Sequence, residues 1–242
     1  MKRKRYSNRS IWGALLNDIR YGCYKDASKL PPEAALASEL GISRTQLRDG
    51  LSILEQDGFI TRRQGVGTVI NRHVINVKTR IDLADEFHPM LRKAGYEPEM
   101  LLISSEVVKG DPLVEEKLEI SSKTPVLTLT KVVKADGYPA IFCMDYIAFH
   151  TIKNFDFSDE DLALPIFIFL EHFCEAGVAM SLAEVNAVTA EAPLSETLLV
   201  QIGSPLLQFD IVAYDIENRL IMYSRELHVN GFLKHTFLRK NY

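Results

Sequence analysis

Residues 43 to 48 contain several side chains that can bind nucleic acid: Ser43, Arg44, Thr45, Gln46 and Arg48. A guanidinium group can donate two hydrogen bonds to guanine O6 and N7, or bind a phosphate, and threonine can contact a phosphate or a thymine methyl group. Gln46 has two possible roles. It can complete a helix capping box with Ser43, or it can bind adenine N6 and N7. The sequence leaves both roles open.

A helix that begins after Ser43 and continues to Asp57 would present the two arginines and the threonine together. An apolar stripe runs along such a helix through Leu47, Leu51 and Leu54, and the polar residues lie on a neighbouring face. A shorter helix begins near Pro32 and ends at Gly41, which leaves only a tight turn between the two helices. This pattern predicts a helix-turn-helix.

Two short segments of strand type follow, at residues 59–63 and 68–71. They are joined by a loop whose glycines allow a tight turn close to another surface. The pattern predicts a β-wing. Its predicted DNA contacts, near the minor groove, are Arg63, Gln64, Gly65 and Gly67.

Together these residues resemble the winged helix-turn-helix of the GntR family of bacterial transcription factors. The matching residues are Leu30-Pro31, Glu33, Leu36-Ala37, Gly41 to Thr45, Arg48, Leu51, Leu54-Glu55, Gly58 and Arg63 to Thr68. Two features depart from the family pattern. Ala34 and Ala35 stand where the family usually has an arginine and a carboxylate, and Gln46 stands where threonine is frequent. One commonly used DNA-contacting arginine is therefore absent, which bears on affinity and site preference and leaves the fold intact.

Charge divides the chain into two parts. Residues 1–72 hold 13 Lys and Arg against 7 Asp and Glu, whereas residues 73–242 hold 15 against 25. A polyanion is attracted to the first part and repelled by the second. We therefore predict a DNA-binding domain at 1–72, a polar linker at 73–80 and a second domain at 81–242. The basic residues Lys2 to Arg5, with Arg9, are either a solvated arm or an additional DNA contact.

The second part alternates strand and helix patterns. Strands are predicted at 100–108, 126–134, 140–149, 182–189, 206–214 and 220–229, with a possible last strand at 235–239. Helices are predicted at 82–94, 112–118, 166–176 and 195–202. Hairpin signals at Asp136-Gly137 and Glu217-Asn218 join neighbouring strands. The fold class is therefore α+β, with a winged helix-turn-helix followed by a mostly antiparallel sheet with helices.

This second part resembles the UTRA effector-binding domain of HutC-type GntR regulators, which shares its fold with chorismate lyase. The matching residues are Lys131 to Gly137, Pro139, Leu198-Leu199, Ile202-Gly203, Pro205 to Leu207 and Tyr214-Asp215. The resemblance implies a small-molecule pocket beside the sheet. Family members that sense phosphorylated amino sugars tend to have arginines at the positions of Lys131 and Val133 and a carboxylate at that of Cys143. Only Lys131 keeps the expected charge, so we expect an effector that is not a typical sugar phosphate.

Six polar residues are candidate effector contacts: Lys131, Asp145, Glu184, Tyr223, Glu226 and His228. Each has a structural alternative. Lys131, Asp145 and Glu184 can occupy solvent-facing strand positions, Tyr223 can be a packing residue, and His228 can be a buried structural histidine.

The sequence contains no pattern typical of a catalytic or metal site. It has no HExxH, CxxC or GxSxG motif, and its three cysteines, Cys23, Cys143 and Cys174, are widely separated, which predicts reduced and mostly buried thiols. We therefore expect no metal, no cofactor and no enzymatic activity. The alternatives are a chorismate-lyase-like enzyme domain fused to a DNA-binding module, and an architectural DNA-binding protein without an effector.

The expected function is regulation of transcription. We expect a homodimer, acting as a repressor, that binds double-stranded operator DNA and responds to a small-molecule effector. No segment has transmembrane length and no signal peptide pattern follows the basic residues after Met1, so the expected location is the cytoplasm, with no membrane partner.

Overall fold

The computed structural model describes residues 8–83 and 86–241, which form two compact units. The first unit holds the described residues up to Asp82 together with residues 236–241, and the second holds those from Leu83 to His235. The predicted domain limits at 72 and 81 lie near this division, but the prediction placed 236–241 in the second domain. The predicted basic arm at 2–5 and the side chain of Arg9 lie outside the described residues.

The first unit is a winged helix-turn-helix, as predicted. Its elements are α1 (Asn8–Arg20), α2 (Glu33–Leu40), α3 (Arg44–Gln56), β1 (Ile60–Arg63), β2 (Gly67–Ile70) and α4 (Arg72–Ile75). Leu47, Leu51 and Leu54 of α3 are all at most 1% exposed, because the predicted apolar stripe faces the core. β1 and β2 pair antiparallel, with Arg63 opposite Gly67 at the turn. α3 therefore packs by one face and leaves the other open.

The segment predicted as a polar linker, residues 73–80, begins as a helix with buried apolar residues. Its first residues form the short helix α4, in which Val74 and Ile75 are buried. The guanidinium of Arg72 donates to the carbonyls of Ile19, Tyr24 and Ala27, which holds the start of this segment against the end of α1. The first part of the segment is therefore part of the first unit.

The second unit is built on a six-stranded antiparallel sheet with the order β3-β4-β5-β8-β7-β6. Its strands are β3 (Pro98–Lys109), β4 (Pro125–Ala135), β5 (Tyr138–Ala148), β6 (Met180–Thr189), β7 (Pro205–Tyr214) and β8 (Leu220–Val229). Its helices are α5 (Phe87–Ala94), α6 (Pro112–Lys117), α7 (Asp159–Leu162), α8 (Ile166–Phe173), α9 (Leu194–Leu198) and a 3₁₀ turn at Phe149–Thr151. This arrangement confirms the predicted α+β class.

Helices cover both faces of the sheet. On the first face, Phe169 and Leu170 of α8 pack with Leu129 and Ile147, and Leu91 of α5 packs near Ile141. On the second face, α6 and α9 cover opposite ends: Val114 packs with Tyr223, and Leu198 packs with Leu227. Each face therefore has its own apolar core.

Three predicted elements differ from those in the structure. α5 begins at Phe87 rather than near residue 82, and residues 84 and 85 lie outside the described residues. α9 ends at Leu198 rather than 202, because Leu199 adopts a left-handed conformation with φ 54°. The possible last strand at 235–239 is reduced to one parallel bridge between Thr236 and Arg80.

The three cysteines are all free thiols, of which Cys143 and Cys174 are buried and Cys23 is exposed. The longest helices, α1 and α3, have 13 residues each. Within residues 8–83 and 86–241, no helix combines the length and the apolar character needed to cross a membrane.

Substituting Leu54 should destabilise the first unit. Leu54 is fully buried, so Leu54→Ala should cost about 2–5 kcal/mol of unfolding free energy through lost burial and a cavity. Trp12 is the only tryptophan of the chain, and its Nε1 donates to Asp57 Oδ2 at 3.0 Å. Its fluorescence during urea unfolding should therefore report this unit. Gln56→Ala, at an exposed position of the same helix, should change the unfolding free energy by less than about 0.5 kcal/mol.

Candidate nucleic-acid interface and buried polar cluster

The N-terminal end of α3 is fixed by a capping box. Ser43 Oγ accepts a hydrogen bond from the Gln46 backbone N–H at 3.2 Å, and the Gln46 side chain accepts one from the Ser43 backbone N–H at 3.1 Å. In this structure Gln46 therefore caps the helix. Arg44 and Thr45 are exposed in the first turn. The cap satisfies helix-end groups that would otherwise be unpaired, and it holds these two side chains at the solvent face.

Arg48 lies one turn further along the same face and pairs with Glu33 of α2. Its Nε is 2.7 Å from Glu33 Oε2, and its side chain is 65% exposed. An ion pair this exposed contributes little to stability, since solvent screens it. The guanidinium of Arg48 can therefore exchange Glu33 for an anionic partner at small cost.

The two wing arginines differ in their surroundings. Arg62 is held by its own unit: its Nε donates to Glu55 Oε2 at 2.7 Å and its Nη2 donates to Ser52 Oγ at 3.0 Å. Arg63 is exposed, as is Gln64. Gly65 and Gly67 have φ of 77° and 97°, a backbone conformation that favours glycine. The wing tip therefore presents Arg63 and Gln64 beside two glycines, and the carbonyl of the exposed Val66 accepts from Lys29 Nζ at 3.1 Å.

A buried polar cluster lies at the centre of the first face of the large sheet. Lys131 of β4 pairs in register with Cys143 of β5, and Cys143 pairs with Glu226 of β8. In the adjoining rows, Asp145 lies beside Ser224 and His228 lies beside Ile141. Residues in register and residues two apart on a strand point to the same face. Lys131, Asp145, Glu226 and His228 therefore surround the Cys143 side chain.

Hydrogen bonds join this cluster to the loop before α8. Lys131, which is 1% exposed, has its Nζ 3.6 Å from Asp145 Oδ2 and donates to the Leu164 carbonyl at 2.8 Å. Asp145 Oδ1 accepts from Ser224 Oγ at 2.7 Å, and Glu226 Oε2 is 3.0 Å from His228 Nε2. These contacts link β4, β5 and β8 through buried polar atoms.

The fifth member of the cluster, Glu86, was not predicted from the sequence. It precedes α5 in the chain, and its Oε1 accepts from the Phe167 backbone N–H at 2.9 Å. This contact spans 81 residues of sequence, and neither residue belongs to a polar motif.

The cluster has more carboxylates than cations. Burial raises the pKa of Glu86 to about 7 and that of Glu226 to about 8, with a smaller contribution in each case from the nearby Asp145 carboxylate. Burial lowers the pKa of His228 to about 3, so the imidazole is neutral at pH 7. Lys131 is the single cationic side chain among these five residues, and it already lies beside Asp145. The site therefore disfavours a further negative charge.

Two of the six predicted effector residues lie elsewhere. Tyr223 and Glu184 are on the second face of the sheet, because Tyr223 pairs with Tyr146 and Glu184 pairs with Asp210. The Tyr223 hydroxyl donates to Asp210 Oδ1 at 2.6 Å. Glu184 is 68% exposed in its side chain and pairs with Lys117 at 2.8 Å. The structure thus brings together four of the six residues.

Each of the two units matches a known protein family. Residues 8–70 match the model of the bacterial regulatory proteins of the gntR family, and residues 93–231, more than half of the chain, match the UTRA domain. The chain belongs to the GntR regulators that carry a UTRA domain. This confirms the resemblance drawn from the sequence.

Relatives of this GntR regulator match over nearly its whole length. The transcriptional regulator YurK of Bacillus subtilis is 23% identical, with 92% of this chain and 88% of that protein covered. A probable fructoselysine utilization operon transcriptional repressor of Escherichia coli is 26% identical, with 91% and 90% covered. Both are described as regulators, which supports regulation of transcription over the enzyme alternative.

Solved structures share the fold of this GntR regulator. The possible transcriptional regulator YydK of Bacillus subtilis has a TM-score of 0.78 at 16% identity, covering 96% of this chain and 99% of that one. PhnF of Mycobacterium smegmatis has a TM-score of 0.59 at 18% identity, covering 97% and 99%. The protein is a DNA-binding regulator of transcription with an effector-binding domain.

Removing the Glu226 carboxyl group should reduce the pH dependence of stability in the UTRA domain. An unfolded glutamate ionises near 4.5, whereas folded Glu226 holds its proton up to about pH 8. Between these values the unfolded state binds fewer protons, so stability falls as pH rises, by at most about 1.4 kcal/mol per pH unit for this group. Glu226→Gln should remove this part of the slope, measured by hydrogen exchange of β8 peptides in urea across the range.

The control for that measurement is Glu116→Gln, at an exposed position of α6 in the same unit. It should retain the wild-type slope. An unchanged slope in Glu226→Gln would mean that Glu226 is already ionised in the folded protein.

Proposed function

We propose that this regulator acts in the cytoplasm as a homodimeric repressor that binds a palindromic operator. A dimer would present two α3 helices to half-sites of the same operator. The repressor assignment is supported by the relationship to the fructoselysine operon repressor of Escherichia coli. The DNA-facing role of α3 is supported by one observation above all: its capped N-terminal end exposes Arg44, Thr45 and Arg48 on a single open face.

The DNA contacts follow from this exposure. Arg44 and Arg48 reach guanine edges or phosphates, and Thr45 contacts a phosphate or a thymine methyl group. Arg63 and the Gly65–Gly67 loop approach the minor groove, with Gln64 beside them. Ser43 and Gln46 hold the helix end and contact the backbone of the DNA through the same first turn.

The effector binds, in this proposal, at the buried polar cluster of Lys131, Asp145, Glu226, His228 and Glu86. Its occupancy changes the affinity of the dimer for DNA, which requires the effector to bind two arrangements of the protein with different affinity. Glu184 and Tyr223 are left out, because they lie on the second face of the sheet.

The charge of the cluster restricts the effector. A phosphate would enter beside three carboxyl groups, with Lys131 as the one cation among the five cluster residues, and Lys131 already has Asp145 and the Leu164 carbonyl as partners. A ligand that donates hydrogen bonds, through an ammonium group or hydroxyl groups, would instead pair with Glu86 and Glu226 and favour their ionised forms. We therefore propose an unphosphorylated amine or polyol as the effector.

Arg48→Ala should weaken binding to an operator selected by the wild-type protein from random duplexes. If Arg48 is bidentate to a base, the loss should be about 1–3 kcal/mol on that duplex and smaller on unselected DNA, measured by fluorescence anisotropy. Equal losses on both duplexes would make Arg48 a phosphate contact. Glu33→Gln is the matched control: it frees Arg48 from its ion pair, so DNA affinity should hold or rise.

Glu226→Gln should weaken effector binding by about tenfold or more, because a hydrogen bond to a charged carboxylate contributes about 1.5–3 kcal/mol. Titration calorimetry with unphosphorylated amines and polyols, beside matched sugar phosphates, measures this. Glu184→Gln, on the other face, should bind as the wild type does.

Binding of a sugar phosphate in the micromolar range that is lost in Lys131→Met would contradict the proposed ligand class. Sustained heat of turnover from a titrated compound would support the chorismate-lyase-like enzyme. Wild-type DNA binding that no compound alters would support the architectural alternative.

A further inference from the structure

The carbonyl groups at the C-terminal end of α3 have both local partners and one partner from a distant part of the chain. An α-helix leaves its last four carbonyls without helical partners. Here the Ile53, Leu54 and Glu55 carbonyls accept from the backbone N–H groups of Asp57, Phe59 and Gly58, at 2.9, 2.8 and 3.0 Å. The Glu55 and Gln56 carbonyls accept from Lys240 Nζ at 2.7 and 2.6 Å. Lys240, which is 184 residues away in sequence, therefore caps α3, the proposed recognition helix.

Lys240 belongs to a segment that we call the return segment, residues 236–241, since the chain there returns to the first unit after His235. Thr236 pairs with the chain before the second unit: the Ile81 N–H donates to the Thr236 carbonyl at 2.9 Å. Leu238 lies against Gly58, where φ is 78° and a Cβ would collide with the Leu238 side chain. The segment is thus held by backbone, apolar and charged contacts.

A second cation holds the same helix end. Arg80, 5% exposed, donates from Nη1 to the Asp57 carbonyl at 2.6 Å, pairs with Asp82 and lies over the Phe59 ring at 5.1 Å. Arg80 lies just before the chain enters the second unit, and Lys240 lies just after the chain leaves it. Each of the two chain segments that connect the units therefore contains a cationic side chain that binds at the C-terminal end of α3.

The wing depends on this helix end. The Glu55 carboxylate accepts from the Arg62 backbone N–H at 2.7 Å as well as from the Arg62 side chain, and the Gly58 carbonyl accepts from Asn71 Nδ2 at 2.8 Å. These bonds fix Arg62, the third residue of β1, and Asn71, the residue after β2. A change in the last turn of α3 would therefore move the wing relative to Arg44 and Arg48.

We propose that Lys240 is a positioning residue for DNA binding: by capping the C-terminal end of α3, it keeps the recognition helix and the wing in one arrangement. The return segment also gives the second unit a direct route to that arrangement. Within the second unit, Glu226 contacts His228, and the His228 and His235 rings are 4.8 Å apart. Thr236, the first residue of the return segment, follows His235.

Lys240→Ala tests this role, and Arg239→Ala is its matched control, because both remove one cation from adjacent exposed positions. Lys240→Ala should weaken binding to the selected operator by about two- to fivefold, the effect of a cation at a helix C-terminus. It should also speed amide exchange at Asp57 and Phe59. Arg239→Ala should leave both measurements unchanged, and Lys240→Arg should restore most of the affinity.

The salt dependence of binding separates a cap from a phosphate contact. Loss of a phosphate contact lowers the slope of log affinity against log salt by about one, whereas loss of the cap leaves the slope unchanged. A lower slope in Lys240→Ala, equal losses in both variants, or unchanged amide exchange at residues 57–59 would each overturn the proposal. Amide exchange needs no operator, so the cap is tested even if the proposed operator contacts are wrong.

Discussion

The two ends of α3 are held in different ways within the first unit. The N-terminal turn must stay open for Arg44 and Arg48 to be available, so it can be fixed only by a local device, the Ser43–Gln46 capping box. The helix must therefore be anchored by its apolar stripe and by its C-terminal end. Backbone N–H groups pair with three of the carbonyls there, Lys240 adds bonds to the Glu55 and Gln56 carbonyls, and Arg80 binds the Asp57 carbonyl that follows. Cations at this end also interact favourably with the helix dipole. The open face depends on this anchorage.

The second unit meets a different constraint, the cost of removing charges from water. Its central strands place Lys131, Asp145 and Glu226 under the apolar cover of α5 and α8. Lys131 and Asp145 compensate each other, whereas burial raises the pKa of Glu86 to about 7 and that of Glu226 to about 8, which lowers the cost of burying these two groups by favouring their neutral forms. If these positions had only to pack, apolar residues there would stabilise the fold at least as well. Retaining uncompensated carboxyl groups fits a site whose partner comes from outside the chain.

Local signals in the sequence predicted local structure well. The capping box was one of the two roles left open for Gln46, and the Asp136-Gly137 hairpin was predicted outright. Both are decided by neighbouring residues, and the structure contains both. Tyr223 could have been separated from Glu226 and His228 by alternation along β8, since an odd separation reverses the face. Placing Glu184 required the strand order, which no local pattern contains. Glu86 and Lys240 act across 81 and 184 residues, so only the folded chain brings them to their partners.

Communication between the units needs both a route and an energy difference. The route is contiguous in the second unit, from Glu226 through His228 to His235, and it continues along the chain to Lys240. The energy must come from an effector that binds the protein more tightly with His228 in one position than in another. An effector with equal affinity for both conformations would not change their populations. Ionisation of Glu226 would supply such a difference. The neutral His228 imidazole interacts differently with a carboxylate that is paired with a ligand and with a protonated carboxyl group. In the proposed regulation, the charge of the ligand and the position of the return segment would both follow from the protonation state of Glu226.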